Sequence, residues 1–322
     1  MYAVAYRWKV QMNAPRTCRC RSRPWNIGLL LVIVWSTLAG CSMRSLAMKN
    51  MANTFDNALS VYASEEDPAL VEDAMPATLK LIEVFLASTP ENPQLLTTAA
   101  SAFTMYTHAF LMEEADRIED TNLTRARELR QRSKHLYLRA RDYGLDALEA
   151  RYPGFRTGVR KNPEQTLQQV TGRDVPLLYW TAAAWGSAIG IDTQDFSLLM
   201  DLSVVDHMIR RALELNESWS DGRLHEFMVS FEASRAGMGG SLETAEQHFR
   251  RALELSEGRS AGIYVTAAEA LAVRIQDRKR FRDLLNTALA IDVDTYPENR
   301  LANLLAQDRA RWLLENIEEY FY

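Results

Sequence analysis

The sequence predicts an all-α fold, organised as an α-solenoid-like stack of helix pairs, from three observations. Apolar residues recur at helical spacing along most of the chain after residue 58. Pro and Gly residues separate these segments at intervals that suit helices of about 12 to 25 residues. No stretch shows the alternating β-branched pattern that is typical of a strand.

The segment Gly239–Gly258 shows the helical pattern most clearly. Ser241 is predicted to cap its helix, and a glycine ends it. Ala245, Phe249 and Ala252 place a ring between two small residues on one helical face, which lets a second helix approach closely. This spacing is typical of the second helix of a tetratricopeptide unit.

Similar triplets recur elsewhere, and the hexapeptide RRALEL at 210–215 reappears at 250–255. The further triplets are Thr78/Ile82/Phe85, Ser133/Tyr137/Ala140, Val205/Ile209/Ala212 and Phe281/Leu285/Ala288. The last residues of four triplets stand at 140, 212, 252 and 288, which fits a period of 36 to 40 residues with one unrecognised copy. The sequence therefore predicts degenerate tetratricopeptide repeats over a helical domain at 58–322.

The first 40 residues contain six Lys or Arg and no Asp or Glu. Within them, Ile27–Leu38 is a mostly apolar run of twelve residues. A membrane-spanning helix needs about 20. The run ends in LAGC, which matches a lipoprotein signal, so we expect 1–40 to be removed, Cys41 to be acylated, and 41–57 to form a polar tether. An ordinary signal with a chance cysteine is the alternative, and translation starts at Met1 or Met12.

Charge and cysteine content limit the function further. Removing six basic residues leaves 31 basic against 42 acidic residues, so the net charge changes from −5 to −11. An acidic mature chain without a Lys/Arg cluster argues against nucleic-acid binding. Cys18 and Cys20 lie in the removed segment, so they predict neither a metal site nor a disulfide in the mature protein.

The segment Asp174–Asp192 is unusual for a solenoid, because small residues form most of a helix interrupted by aromatic rings. Each of the two interior glycines lowers the stability of the helix by about 1 kcal/mol relative to alanine. Either the helix packs very closely against its neighbours, or the rings line a cavity for an apolar ligand. The candidate cavity residues are Tyr179, Trp180, Trp185, Phe227, Phe231 and Tyr264.

No catalytic motif supports an enzyme. His225–Glu226 lacks a second histidine four residues later, and the sequence contains neither a glycine-rich phosphate loop nor G-x-S-x-G. We therefore predict a non-enzymatic protein with no catalytic residues, no metal and no cofactor. A helical hydrolase would need carboxylates that only the fold brings together.

Several blocks resemble the T component of TRAP transporters, the tripartite ATP-independent periplasmic systems. They are the lipobox, LLYWTAAAWGSAIGI at 177–191, HEFMVSFEASRAGMGGSLETAEQHFRRALELSEG at 225–258, and YPENRLANLLAQDRARWLLENIEEYF at 296–321. The resemblance implies cryptic tetratricopeptide repeats, a homotrimer, a pore or cavity through each protomer, and a periplasmic substrate-binding protein as partner. It identifies no ligand-contacting residue.

Two functions follow from these patterns. The first is a lipid-anchored TRAP accessory that docks a substrate-binding protein and helps bind or pass a small hydrophobic or amphipathic ligand. The second is a tetratricopeptide scaffold or adaptor for envelope assembly or cell-wall enzymes. Because Ser42, not Asp, follows Cys41, we expect the periplasmic face of the outer membrane.

Overall fold

The computed structural model describes residues 60–322. The predicted signal peptide, the acylation site at Cys41 and the tether lie outside the described residues. The α-helices are α1 (Pro68–Ser88), α2 (Pro93–Tyr106), α3 (Glu113–Arg117), α4 (Leu123–Arg151), α5 (Phe155–Lys161), α6 (Pro163–Leu167), α7 (Val175–Ile191), α8 (Phe196–Leu199), α9 (Leu202–Asn216), α10 (Arg223–Ser234), α11 (Leu242–Ser256), α12 (Ala261–Ala267), α13 (Arg278–Leu289) and α14 (Arg300–Glu315). No strand occurs over 60–322, which confirms the all-α class.

Short-range sequence signals set the helix ends. At α11, the Ser241 hydroxyl accepts a hydrogen bond from the Thr244 N–H at 3.2 Å, as the sequence predicts. The helix then ends where Glu257 and Gly258 adopt positive φ angles of 51° and 73°. An N-cap of this kind contributes about 1 kcal/mol.

Two segments depart from the expectation that Pro and Gly separate the helices. Pro76 lies inside α1, exposed on the solvent side. Residues 152–171 contain two Pro and two Gly, yet they include α5 and α6. The Asn162 side chain caps α6 and Pro163 occupies its first turn, so these residues begin a new helix.

The predicted triplets lie on packed faces. All residues of four triplets are buried, whereas Thr78 and Phe85 of the first triplet keep partial exposure beside a buried Ile82. Burial of this kind is expected for any amphipathic helix. The tetratricopeptide repeat therefore stays a prediction, although the packing of the helices is shown.

The core is divided unequally along the chain. One large cluster of buried side chains extends from α1 to α10, and its densest packing joins α4 to α7 and to α2. Two smaller clusters lie between α10, α11 and α12 and between α12, α13 and α14. Within 60–322, no helix is both long and apolar enough to cross a bilayer.

The last helix returns to the beginning of the domain. Arg117 of α3 pairs with Asp308 of α14 at 2.7 Å, and Arg309 pairs with Glu113 and Asp116 at 3.3 and 3.2 Å. Arg300 also donates to the Ser64 carbonyl at 3.2 Å. The helical array thus closes on itself, and its interior lies between early and late helices.

Candidate ligand-binding cavity

Four of the six predicted cavity rings lie together between α7 and α10. The Tyr179 ring centroid is 4.8 Å from that of Trp180 and 6.4 Å from that of Phe227, and Phe227 stacks on Phe231 at 5.5 Å. Trp219, which the sequence analysis missed, completes the group at 5.0 Å from Tyr179. We call these five residues the aromatic cluster.

The small residues of α7 allow close packing on two sides. A Cβ atom on Gly186 would lie 3.4 Å from the Phe227 ring, so glycine lets α10 approach α7. On the opposing helix α4, a Cβ on Gly144 would lie only 2.0 Å from the Thr181 hydroxyl. Close packing therefore explains much of the small-residue pattern, and the rings occupy only part of the helix surface.

Trp185 and Tyr264 do not join the aromatic cluster. Trp185 is fully buried, and the guanidinium carbons of Arg141 and Arg160 lie 5.3 and 5.0 Å from its ring centre. Tyr264 packs edge-on against Phe249 at 6.4 Å, among the later helices. Trp185 thus belongs to the large core, and Tyr264 to the contact between α11 and α12.

A cavity of about 330 Å³ opens beside Trp180. Its lining residues are Gln94, Thr97, Thr98, Ser101, Arg151, Arg173, Pro176, Leu177 and Trp180. One face of this cavity is rich in hydroxyl groups, and the other presents an indole ring and two guanidinium groups. Such a lining suits a small ligand that has both apolar and polar parts.

Asp174 balances the two arginines of this cavity. It is fully buried and pairs with Arg151, and Arg173 lies 3.8 Å away. Burial alone would raise the pKa of Asp174, but hydrogen bonds from Tyr152, Thr171 and Arg151 lower it. The carboxylate therefore stays ionised and holds this wall of the cavity in place.

A second polar region surrounds His108 in the interior. The imidazole is accessible to solvent, yet the surrounding protein lowers its pKa by desolvation. Glu113, Asp116, Glu226 and Arg309 act on this ring electrostatically, so α3, α10 and α14 all contribute to the same region.

Two π-helical turns bring titratable side chains to this region. His108 lies in the turn Thr107–Met112, and Glu269 lies in the turn Ala268–Ala272. Glu269 pairs with Arg309 at 2.7 Å, and burial raises the pKa of the Glu269 carboxyl. Such π turns often occur at functional sites, because the extra residue redirects a side chain.

Arg223 and Glu226 connect the aromatic cluster with the polar region. Arg223 acts electrostatically on the Tyr179 hydroxyl, and its guanidinium carbon lies 5.9 Å from the Trp180 ring centre. Glu226 accepts a hydrogen bond of 3.3 Å from Thr266 and interacts electrostatically with His108. Burial raises the pKa of Glu226.

In the sequence, Glu226 stands out only beside His225, but the two side chains have different surroundings. His225 contacts His248 with 2.7 Å between their Nδ1 atoms, away from Glu226. Among residues 60–322, no group of three His, Cys, Asp or Glu side chains is arranged to hold a metal ion. Arg223 and Glu226 are three residues apart, which makes them neighbours on a helix surface. This spacing is the sequence signal that could have linked the two residues.

Comparison with known families matches residues 64–321 to the TRAP transporter T-component. A protein from Treponema pallidum (strain Nichols), described as uncharacterized, is 30% identical over 302 residues, which cover 88% of this chain and 94% of the relative. The family match spans most of the chain and includes every helix described above. The chain therefore belongs to the TRAP transporter T-component family.

Proposed function

We propose that this protein is a non-enzymatic accessory of a TRAP transporter that binds or passes a small hydrophobic or amphipathic ligand through its interior. It is anchored by acylated Cys41 at the periplasmic face of the outer membrane, acts as a homotrimer, and docks a periplasmic substrate-binding protein. Membership of the T-component family supports the transport role. The docking step rests on the family match alone, and the following contacts support the ligand step.

The observation that carries the ligand proposal is the position of Tyr179. Its ring packs against Trp180, which lines the 330 Å³ cavity, and against Phe227 on α10. Arg223 acts electrostatically on its hydroxyl, and Glu226, one helical turn further along α10, acts on His108. Apolar rings and polar groups thus lie beside each other next to the cavity.

Transfer of a ligand through this region needs no chemical step. An apolar group that leaves water for the aromatic cluster gains about 25 cal/mol for each Å² buried. The polar side chains keep the hydrogen-bonding groups of the ligand satisfied, which prevents the cost of an unpaired polar group. Moderate affinity would let the ligand leave toward a partner protein.

The ligand step can be tested with N-phenyl-1-naphthylamine, an apolar probe that fluoresces when it leaves water. The full chain in phospholipid vesicles should bind the probe in excess of protein-free vesicles, and Trp180→Leu should weaken binding by about tenfold, because it removes a ring from the cavity wall. Tyr296→Leu is the matched control, since Tyr296 packs against Arg259 and does not line the cavity. Equal affinity of the two variants would contradict the proposal.

The docking step can be tested by chemical cross-linking in the native host, followed by mass spectrometry of the captured proteins. We expect a TRAP substrate-binding protein among the specific partners. Capture of cell-wall enzymes without a substrate-binding protein would instead support the scaffold function.

A further inference from the structure

Helix α10 presents a cation, an acid and a ring on one face. Arg223, Glu226 and Phe227 follow a spacing of three and four residues, and each is half-buried. Side chains at these spacings are neighbours on a helix surface, with Cβ atoms roughly 5–6 Å apart. The Phe227 ring belongs to the aromatic cluster, so the two charged groups lie at its edge.

Neither charge has an ionic partner in the part of the chain that the structure describes. Arg223 acts electrostatically on the Tyr179 hydroxyl and lies over the Trp180 ring, and no described carboxylate forms an ion pair with it. Glu226 has only the long hydrogen bond from Thr266, and no described Lys or Arg pairs with it. Arg309, by contrast, pairs with three carboxylates in the same interior.

Burial raises the pKa of Glu226, and the nearby Arg223 guanidinium opposes this rise. A desolvated charge without a partner is destabilising by several kcal/mol, and a protein commonly avoids it by forming an ion pair or by neutralising the group. Arg223 and Glu226 lie one turn apart and interact electrostatically, but they form no direct ion pair. A ligand that carries both opposite charges can therefore pair with each of them.

The surroundings of Glu226 stay partly open to solvent, because Arg223, Glu226 and Phe227 each keep accessible surface. A Cβ atom on Gly262 would lie 2.8 Å from Oε1 of Glu226, so glycine lets this carboxyl group lie close to α12. On another side lies His108, which keeps contact with solvent and whose pKa desolvation lowers. The imidazole is therefore neutral at pH 7 and does not offset the charge of Glu226.

We propose that this face of α10 recognises a small zwitterion with an apolar side chain, such as an apolar α-amino acid. Arg223 binds the carboxylate, Glu226 binds the ammonium group, and Tyr179 and Phe227 pack against the side chain. An α-amino acid carries both charges on one carbon atom, which suits two side chains one helical turn apart. This inference rests on the proposed function, because it assigns a ligand class to the same interior.

Three probes with one phenyl ring separate the contributions of the two charges. L-Phenylalanine carries both charges, 3-phenylpropionate carries the carboxylate alone, and phenethylamine carries the ammonium alone. By isothermal titration with the full chain in phospholipid vesicles, we expect L-phenylalanine to bind at least about tenfold more tightly than either analogue. L-Leucine and L-tryptophan are measured alongside, to cover side chains of different size.

Variants assign each charge to its side chain. Glu226→Gln should lower the affinity for L-phenylalanine at least about tenfold and leave the affinity for 3-phenylpropionate unchanged. Arg223→Gln should lower the affinity for 3-phenylpropionate and leave the affinity for phenethylamine unchanged. Arg250→Gln and Glu243→Gln, which are exposed on α11, are the matched controls and should change nothing. Circular dichroism verifies that each variant remains folded.

Two results would overturn the inference. The first is that the wild-type protein binds L-phenylalanine and one of its analogues with equal affinity. The second is that Glu226→Gln lowers the affinities for L-phenylalanine and for 3-phenylpropionate by the same factor. If N-phenyl-1-naphthylamine binds and none of the three amino acids does, the zwitterion inference fails and the proposed function stands. If neither the apolar probe nor any amino acid binds, both fail.

Discussion

Trp180 and Trp185 lie on one helix but have opposite environments. Five residues correspond to about 500° of rotation along an α-helix, so the two rings point to different sides of α7. Trp180 lines a cavity and joins the aromatic cluster, whereas Trp185 is enclosed between Arg141 and Arg160. A helix of small residues and rings thus serves a packed core on one side and a candidate ligand site on the other.

The largest expected difference is in stability. Trp185→Ala should lower the free energy of unfolding by about 3–5 kcal/mol, because it leaves a large cavity in a fully packed core. Trp180→Ala should lower it by about 1–2 kcal/mol, since its ring is half-buried. Urea unfolding monitored by circular dichroism gives both values, and equal losses would show that the two sides of α7 do not differ.

A second expected effect is a pH dependence of stability, which comes from two histidines that contact each other between α10 and α11. His248 lies against His225, and burial followed by the positive field of His225 lowers the pKa of His248 to about 4. The unfolded chain then binds more protons between pH 6.5 and 4, so stability present above pH 6.5 is lost as the pH falls to about 4. The loss attributable to His248 is roughly 2–3 kcal/mol.

Thermal unfolding across this pH range measures the loss. His248→Gln should make stability depend less on pH, because the group that takes up the proton is gone. His207→Gln is the control, since His207 hydrogen-bonds Ser203 within α9. An unchanged slope in His248→Gln would contradict the assignment to this pair.

The packed side of α7 should not tolerate one added methyl group on α4. Gly144→Ala places a Cβ atom 2.0 Å from the Thr181 hydroxyl and should destabilise the fold by about 1–3 kcal/mol. Thr181→Ala in the same chain should recover part of this loss, because it removes the clashing atoms. Additive effects in a double-mutant cycle would show that the two residues do not meet.

The smallest expected effect has the opposite sign. Gly190 is exposed near the end of α7, and no atom lies within 4 Å of a Cβ built there. Gly190→Ala should therefore stabilise the protein by about 0.5–1 kcal/mol, because alanine loses less backbone entropy in a helix. A destabilised Gly190→Ala would mean that this end of α7 is also closely packed.

Local chemistry explains what the sequence predicted well. The cap at Ser241, the positive-φ stop around Gly258 and the buried Phe249 all depend on neighbours within one helix. The grouping of Tyr179, Trp180, Phe227 and Phe231 followed from short spacings within two helices. Periodicity identified these rings, although it could not separate them from Trp185.

Long-range contacts explain what the sequence did not predict. Arg117 and Asp308 are 191 positions apart, so no local pattern announces that α14 closes the helical array. The contact between His225 and His248 joins the neighbouring helices α10 and α11, and the electrostatic interaction of His108 with Glu226 joins α10 to the turn Thr107–Met112. Arg223 and Glu226 resemble an ordinary solvated helix face until α7 and α12 enclose them.

The difference between the two sides of α7 can be measured directly by fluorine NMR of the full chain labelled with 5-fluorotryptophan. Trp180→Phe and Trp185→Phe assign the two resonances. On titration with N-phenyl-1-naphthylamine, the Trp180 resonance should shift in proportion to occupancy, and the Trp185 resonance should remain in place. A shift of the Trp185 resonance with an unchanged Trp180 resonance would contradict a ligand site at the aromatic cluster.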